Sequence, residues 1–235
     1  MKEVGYLGHI ISVAGVAADP KKIEAMRSWP SPTDLKGLQG FLGIISYYRR
    51  FVKGYGSIAE PLTQLLRKDC FIWGEEAQLA FDKLKEMLTT LPVLVVPNFD
   101  KPFTIETDAP RRGLGTVLMQ EGRPIAYLSQ KLSARSQSKS FYERELMAIV
   151  MAVHKWRHYL LGRKFLVLTD QKSLKFLVDQ RIIGEEQQKL IGKLMGFDFE
   201  IRYKVGRENN VVDALSRRFS LAEQSRLSLY MVGKA

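Results

Sequence analysis

The spacing of apolar residues changes once along the chain, and this change constrains the possible folds more than any other feature. Upstream of residue 91 the apolar residues recur at helical spacing, for example at Leu38, Leu42 and Ile45. Downstream of residue 102 they occur in short runs with a period of two, which is typical of strands. The segment between them is rich in proline and polar turn residues. We therefore predict a helical part up to residue 97 and a sheet-based part from residue 98.

The first part is predicted to be a hairpin followed by a small helical subdomain. Two short apolar runs joined by a Ser-Val-Ala-Gly bend predict a pair of strands within residues 1–19, at 5–11 and 13–17. Pro30 and Pro32 interrupt the chain after a first short helix, because proline cannot continue a helix. The helical subdomain over residues 20–97 is predicted to contain helices at 20–29, 34–51, 58–67 and 75–89.

The second part is predicted to be an α/β domain built on a mixed five-stranded sheet with flanking helices. Three short runs predict an antiparallel meander, and the next strand, reached through a long helix, is expected to run parallel to the first. That helix opens with the capping pattern Ser140-x-x-Glu143 and closes at Gly162. The predicted strands lie at 103–108, 115–120, 124–129, 164–169 and 199–205, and the later helices at 173–179, 185–195 and 210–218. The domain is assigned to residues 98–219, and residues 220–235, which lack a pattern, are predicted to be a disordered tail.

Carboxylates stand at the ends of two strands that are predicted to be parallel. Asp108 ends the first strand of the second part, and Asp170 directly follows the fourth. Parallel strands that end together bring such residues to one rim of the sheet. Carboxylates packed closely repel each other, and a hard divalent cation, which prefers oxygen ligands, relieves that repulsion. A carboxylate at a strand end is more often a turn or capping residue, so spacing alone leaves both interpretations open.

Two glutamates on the long helix compete for a third place at this rim. On a helical wheel Glu145 lies about 60° from the centre of the apolar stripe and Glu143 about 90° from it. Glu143 can also complete the capping pattern. We therefore predict Glu145 as the third carboxylate. Asp213, one turn into the predicted last helix, is the candidate for the fourth, because a position near a helix start can return it to the same rim.

The charge of the chain indicates an anionic partner. Its 36 Lys and Arg exceed its 25 Asp and Glu, which gives a formal net charge of +11. Most of the excess lies in residues 98–235, which hold 24 basic and 15 acidic residues, against 12 and 10 in residues 1–97. Clustered basic residues bind nucleic acid by releasing counterions from its phosphates. A basic surface kept for solubility is the other explanation of the same charge.

The sequence gives no indication of a membrane span or of secretion. No stretch approaches the roughly 18 to 20 apolar residues that cross a bilayer. The apolar run 10–18 is similar to a weak signal sequence, but it is short and continues into a helical region without a distinct cleavage site. The single cysteine, Cys70, excludes an intrachain disulfide and fits a reducing compartment. We expect an intracellular protein, cytoplasmic or nuclear, with no membrane partner.

Ordered motifs in both parts of the chain match those of one known family. The second part contains Thr107-Asp108-Ala109, Tyr142-x-x-Glu145-Leu146-Met147-Ala148-Ile149, Leu168-Thr169-Asp170-x-x-Ser173-Leu174 and Val212-Asp213-Ala214-Leu215-Ser216-Arg217. These resemble the ribonuclease H domain of gypsy-type (metavirus) long-terminal-repeat retrotransposon Pol polyproteins. The first part contains Tyr6-Leu7-Gly8-His9, Trp29-Pro30-x-Pro32 and Tyr47-Tyr48-Arg49-Arg50-Phe51. These resemble the end of the reverse-transcriptase palm, the thumb and the connection of the same polyproteins.

The resemblance implies a ribonuclease H-like fold and a nuclease activity for the second part. Asp108, Glu145, Asp170 and Asp213 would bind two Mg²⁺ or Mn²⁺ ions and hydrolyse the RNA strand of an RNA/DNA hybrid. One ion would generate the attacking hydroxide, and the other would stabilise the leaving oxygen. Residues 1–19 would be the end of the palm. Since the family's Tyr-x-Asp-Asp turn has no equivalent here, DNA synthesis would need a partner that supplies the missing polymerase part.

Departures from the family pattern keep a second function open. Pro110-Arg111-Arg112 follows the first carboxylate where the family usually has Ser and small or polar residues, and Val212 replaces the usual Ala before the fourth. Either change could lower metal affinity or rate. The alternative to an active ribonuclease H is therefore a non-catalytic, nucleic-acid-binding remnant of the polyprotein.

Overall fold

Two β-sheets and the helices around them make up the structure, a computed structural model that describes residues 3–176 and 184–204. A three-stranded antiparallel sheet contains β1 (Val4–Tyr6), β2 (His9–Ser12) and β3 (Gly15–Ala18). Two strands were predicted in this region. The first of them is divided in two by a tight turn, in which Leu7 and Gly8 adopt positive φ angles of 46° and 76°.

The helices of the first part follow the predicted pattern but break more often. They are α1 (Pro20–Arg27), α2 (Leu35–Tyr47), α3 (Tyr55–Ile58), α4 (Glu60–Gln64) and α5 (Glu75–Leu88). The predicted helix 34–51 ends early because Tyr48 leaves the helical conformation and its N–H bonds to the carbonyl of Ile45, which tightens the chain into a 3-10 turn. The predicted helix 58–67 is two short helices, the second of which has Pro61 in its first turn.

The first part has its own apolar core, in which α2 packs against α5. The rings of Phe41 and Phe81 lie 4.5 Å apart between their centroids, and Trp73 packs edge-on against Phe81 at 5.7 Å. Asp34 caps α2 by accepting a hydrogen bond of 2.6 Å from the N–H of Gly37. The amphipathic spacing that predicted these helices therefore corresponds to a packed interface between them.

The second part is the mixed five-stranded sheet that the sequence predicts, with α/β architecture. Its strands are β4 (Phe103–Asp108), β5 (Gly113–Gln120), β6 (Arg123–Lys131), β7 (Lys164–Thr169) and β8 (Asp198–Tyr203). They lie in the order β6-β5-β4-β7-β8. The pairs β4–β5 and β5–β6 are antiparallel, whereas β4–β7 and β7–β8 are parallel. The parallel pairing of β4 with β7 is the one on which the predicted rim of carboxylates depends.

One long helix covers a face of this sheet. It is α7 (Phe141–Lys155), preceded by α6 (Ala134–Gln137) and followed by α8 (Arg157–Leu160) and α9 (Glu185–Gly192). Both hydrogen bonds of the predicted capping box between Ser140 and Glu143 are present at the start of α7. The helix predicted at 173–179 begins as a 3-10 turn, Lys172–Phe176, and its last three residues lie outside the described ones. The predicted helix 210–218 and the tail 220–235 also lie outside them.

The two parts are joined along the edge strand β6. The N–H of Gly56 in α3 donates a hydrogen bond of 2.8 Å to Oγ of Ser129, and Glu60 forms an ion pair with Lys131. A Cβ atom at Gly56 would lie 3.2 Å from the carbonyl oxygen of Ser129, so this close approach favours glycine. The helical part thus covers an edge that would otherwise expose unpaired backbone groups. The division at residue 97 stays a prediction.

None of the helices that the structure describes is long and apolar enough to cross a membrane.

Candidate active site

The ends of β4 and β7 form the rim where the sequence predicts the site. Asp108 is the last residue of β4, and Asp170 directly follows β7. The two strands run parallel, with Glu106 opposite Leu168. Continuing this register by two residues brings the two carboxylates to the same rim of the sheet.

Glu145 on α7 lies against this rim and is completely buried, at 0% exposure. Its Oε2 accepts hydrogen bonds of 2.9 Å from the hydroxyls of Thr107 and Thr169, one on each of the two parallel strands. Glu143, the other candidate, instead accepts the N–H of Ser140 in the capping box, with Oε2 at 3.0 Å. The structure therefore brings Glu145 to the rim and gives Glu143 a capping role.

The pKa of Glu145 is raised to about 7, mainly by burial, next by the negative charge of Asp170, and to a smaller extent by that of Asp108. The two threonine hydroxyls oppose this rise because hydrogen bonds favour the charged carboxylate. The second oxygen, Oε1, is buried and accepts no hydrogen bond among the described residues. This is an acid whose charge is poorly compensated by the protein alone.

The donor set at the rim fits a hard divalent cation. It consists of carboxylate oxygens. A cation would stabilise the charged form of Glu145, whose pKa is raised, and would give its buried Oε1 a partner. Among residues 3–176 and 184–204, no three His, Cys, Asp or Glu side chains form a ready-made metal-binding group. Asp213, the predicted fourth ligand, lies outside the described residues.

Sequence reasoning missed three polar side chains that shape the rim. Two of them are Thr107 and Thr169, for which the Thr-Asp dipeptide repeated at both strand ends is a usable signal. Arg144 ties α7 to the residue after the first carboxylate, since its Nε donates to the carbonyl of Ala109 at 3.3 Å. No local pattern indicated the Arg144 contact.

An ion pair between a buried glutamate and a partly exposed lysine on the same sheet was also missed. Glu106 is 1% exposed, and its Oε2 accepts a hydrogen bond of 3.1 Å from Nζ of Lys204. The two residues are 98 positions apart, so no local pattern could have indicated the contact. Burial raises the pKa of the nearby Tyr127, and the charge of Glu106 adds to the rise.

The strand order, the crossover through α7 and the carboxylates at the ends of β4 and β7 define a ribonuclease H-like domain. Residues 73–167 match the family model described as "RNase H-like domain found in reverse transcriptase". The chain is thus similar to the ribonuclease H-like part of retrotransposon Pol polyproteins, and the resemblance to gypsy-type elements that the motifs indicate is confirmed by the relatives below.

Two curated relatives come from Drosophila melanogaster. The retrovirus-related Pol polyprotein from transposon 297 is 40% identical over 218 residues, covering 92% of this chain and 21% of the relative. The Pol polyprotein from transposon gypsy is 36% identical over 231 residues, covering 92% of this chain and 22% of the relative. The chain thus spans about a fifth of the length of the curated relatives that it matches.

Solved structures of a foamy viral protease-reverse transcriptase share the fold. The form named dRH, in complex with double-stranded DNA, superposes with a TM-score of 0.78 at 20% identity, covering 87% of this chain and 38% of that one. A complex with an RNA/DNA hybrid gives a TM-score of 0.75 at 21% identity, covering 86% of this chain and 29% of that one. At these identities the similarity concerns the fold, and it extends over both parts of the chain.

Proposed function

We propose that the second part of the chain is a metal-dependent ribonuclease H that cleaves the RNA strand of RNA/DNA hybrids. The observation that carries this proposal is the buried carboxylate of Glu145. One oxygen accepts two threonine hydroxyls, the other accepts no hydrogen bond among the described residues, and two aspartates stand close enough to raise its pKa. A carboxylate in such surroundings is stabilised most strongly by a divalent cation.

Four carboxylates are the proposed ligands of two Mg²⁺ or Mn²⁺ ions: Asp108, Glu145, Asp170 and, from outside the described residues, Asp213. When bound, the ions would supply an activated water and stabilise the leaving oxygen of the phosphodiester. The strand ends fix the backbones of Asp108 and Asp170. The packing of α7 excludes water from around Glu145, which strengthens electrostatic interactions at the rim.

An RNA/DNA hybrid is the proposed substrate and partner. The foamy viral protease-reverse transcriptase that shares the fold has been solved with such a hybrid. The excess of basic residues in the second part supports binding to phosphates, which holds a duplex without reading its sequence. Choice of the RNA strand would depend on its 2′-hydroxyls, which line the wide minor groove. An intracellular location, cytoplasmic or nuclear, belongs to the same proposal.

Cleavage of a labelled RNA/DNA hybrid in Mg²⁺ or Mn²⁺ tests the proposal. Asp108→Asn should abolish cleavage while hybrid binding persists, because the substitution removes a ligand charge without changing shape. Asp100→Asn is the matched control, since Asp100 is exposed in the turn before β4 and should be dispensable. Folded wild-type protein that cleaves at no metal concentration would overturn the activity. Cleavage that survives in Asp108→Asn would overturn the site assignment.

A non-catalytic role in binding nucleic acid is the second candidate. It is favoured by the absence, within the described residues, of three metal-ligating side chains already grouped, and by the two exposed arginines, Arg111 and Arg112, just after the first carboxylate. It predicts binding that weakens steeply with salt and no metal-dependent turnover. If the chain instead works as a piece of a reverse transcriptase, a polypeptide that supplies the polymerase palm should co-purify with it.

A further inference from the structure

Two buried threonine hydroxyls hold one oxygen of the Glu145 carboxylate. Thr107 and Thr169 are both fully buried, and each Oγ1 donates a hydrogen bond of 2.9 Å to Oε2 of Glu145. We propose that this pair, the threonine clip, is a positioning device that fixes Glu145 and keeps its Oε1 available to a divalent cation. The inference rests on the proposed nuclease function and adds two residues to it.

The register of the sheet explains why the clip forms. β4 and β7 pair in parallel up to Glu106 and Leu168, so the next residues, Thr107 and Thr169, stand side by side. Successive side chains of a strand point to opposite faces. A Thr-Asp dipeptide at the end of each strand therefore sends one hydroxyl towards α7 on each strand and leaves a carboxylate at each strand end.

The second partner of Thr169 is a hydrogen-bond donor, whereas that of Thr107 is an acceptor. Its Oγ1 accepts a hydrogen bond of 3.2 Å from the backbone N–H of Gln171 while it donates to Glu145. Hydrogen bonds in such a chain strengthen one another. This series of hydrogen bonds links the turn that carries Asp170 to the carboxylate on α7. The other acceptor near Thr107 is the carbonyl of Leu168, at 3.4 Å.

The chemistry of the clip differs from that of the other buried carboxylate on the sheet. Glu106 is paired with the ammonium group of Lys204, which neutralises it. The clip instead stabilises the charged form of Glu145 with neutral donors, and an unneutralised carboxylate can still bind a metal ion. A lysine or arginine in place of the clip would compete with the cation. Hydroxyl donors therefore suit a metal ligand better than a basic side chain does, because they leave the carboxylate charge for the metal ion.

The test measures Mn²⁺ binding without substrate, by the loss of the free-ion EPR signal on titration of the full chain. Thr107→Val and Thr169→Val keep the branched shape and remove the donor, so we expect roughly ten- to hundredfold weaker binding. The loss should be larger for Thr169. Serine variants, which retain the hydroxyl, should bind nearly as the wild type does. Thr116→Val is the control, because Thr116 is buried on the adjacent strand and its hydroxyl has no partner among the described residues.

The outcomes separate the clip from the nuclease. Wild type that binds Mn²⁺ and cleaves, with valine variants that bind Mn²⁺ equally well, would overturn the clip alone. Serine variants as weak as the valine variants would also overturn it, since the loss would then follow shape rather than hydrogen bonding. Wild type that neither binds Mn²⁺ nor cleaves would overturn the proposed function itself. If Thr169→Val fails to fold, Thr107→Val decides, because one clip hydroxyl remains in that variant.

Discussion

Replacing Glu145 with glutamine should stabilise the metal-free protein, and the gain should grow with pH. Burial and the neighbouring aspartates raise the pKa of Glu145 from 4.5 to about 7. The folded state therefore holds the proton more tightly than the unfolded state, and ionisation opposes folding. The penalty is absent below pH 4.5, grows as pH rises and is complete above about pH 7. At about 1.4 kcal/mol per unit of pKa, it reaches about 3 kcal/mol.

Urea unfolding with a chelator present, followed by circular dichroism at pH 4, 6 and 8, measures this penalty. The difference between Glu145→Gln and wild type should increase by about 3 kcal/mol from pH 4 to pH 8. Glutamine can accept both threonine hydroxyls, so the clip persists while the charge is lost. Glu143→Gln is the control, because glutamine also completes a capping box. A difference that stays constant with pH would refute the reasoning that Glu145 is buried among like charges.

Four further single substitutions test backbone strain, an ion pair and a helix cap. Gly15→Ala should destabilise by at least about 2 kcal/mol in urea, because φ is +138° and the new Cβ would lie 2.2 Å from a backbone carbonyl oxygen. Gly43→Ala in α2, where nothing lies within 4 Å of the new Cβ, should raise the free energy of unfolding by about 0.5–1 kcal/mol. Equal effects of Gly15→Ala and Gly43→Ala on that free energy would contradict this account. Lys204→Met should lower the free energy of unfolding by about 3–5 kcal/mol in the same assay, because Glu106 is left unpaired. Adding Glu106→Gln should restore most of that loss. Ser140→Ala should lose about 0.5–2 kcal/mol on thermal unfolding, and no loss would mean that the cap contributes nothing.

Local patterns were sufficient where one element determined a residue's position. Glu145 was separated from Glu143 by its angle on a helical wheel and by the capping pattern, and both glutamates lie as these two arguments require. Asp108 and Asp170 were placed at one rim by strand ends and a crossover connection. Each inference needed only the periodicity of one element and a rule about how elements connect.

Local patterns were insufficient where the partner lay far along the chain. The hydroxyl of Thr107 meets Glu145 across 38 residues, and Lys204 meets Glu106 across 98. Strand alternation puts Thr107 and Glu106 on opposite faces of β4 but does not indicate which residue either side chain contacts. The turn at Leu7 was missed for another reason, since a positive φ at a non-glycine residue carries no compositional signal.

The proline-rich segment marks a change of periodicity, but it is not a free linker. The segment was predicted to be a boundary because strands follow helices there, yet its backbone is bonded on both sides. Leu94 exchanges two hydrogen bonds with Val16 of β3, at 2.7 and 2.9 Å, and the N–H of Val95 donates to the carbonyl of Pro124 at 2.9 Å. Gly15 admits the first contact, since any Cβ there would clash with Leu94. The segment therefore connects the two sheets through backbone hydrogen bonds.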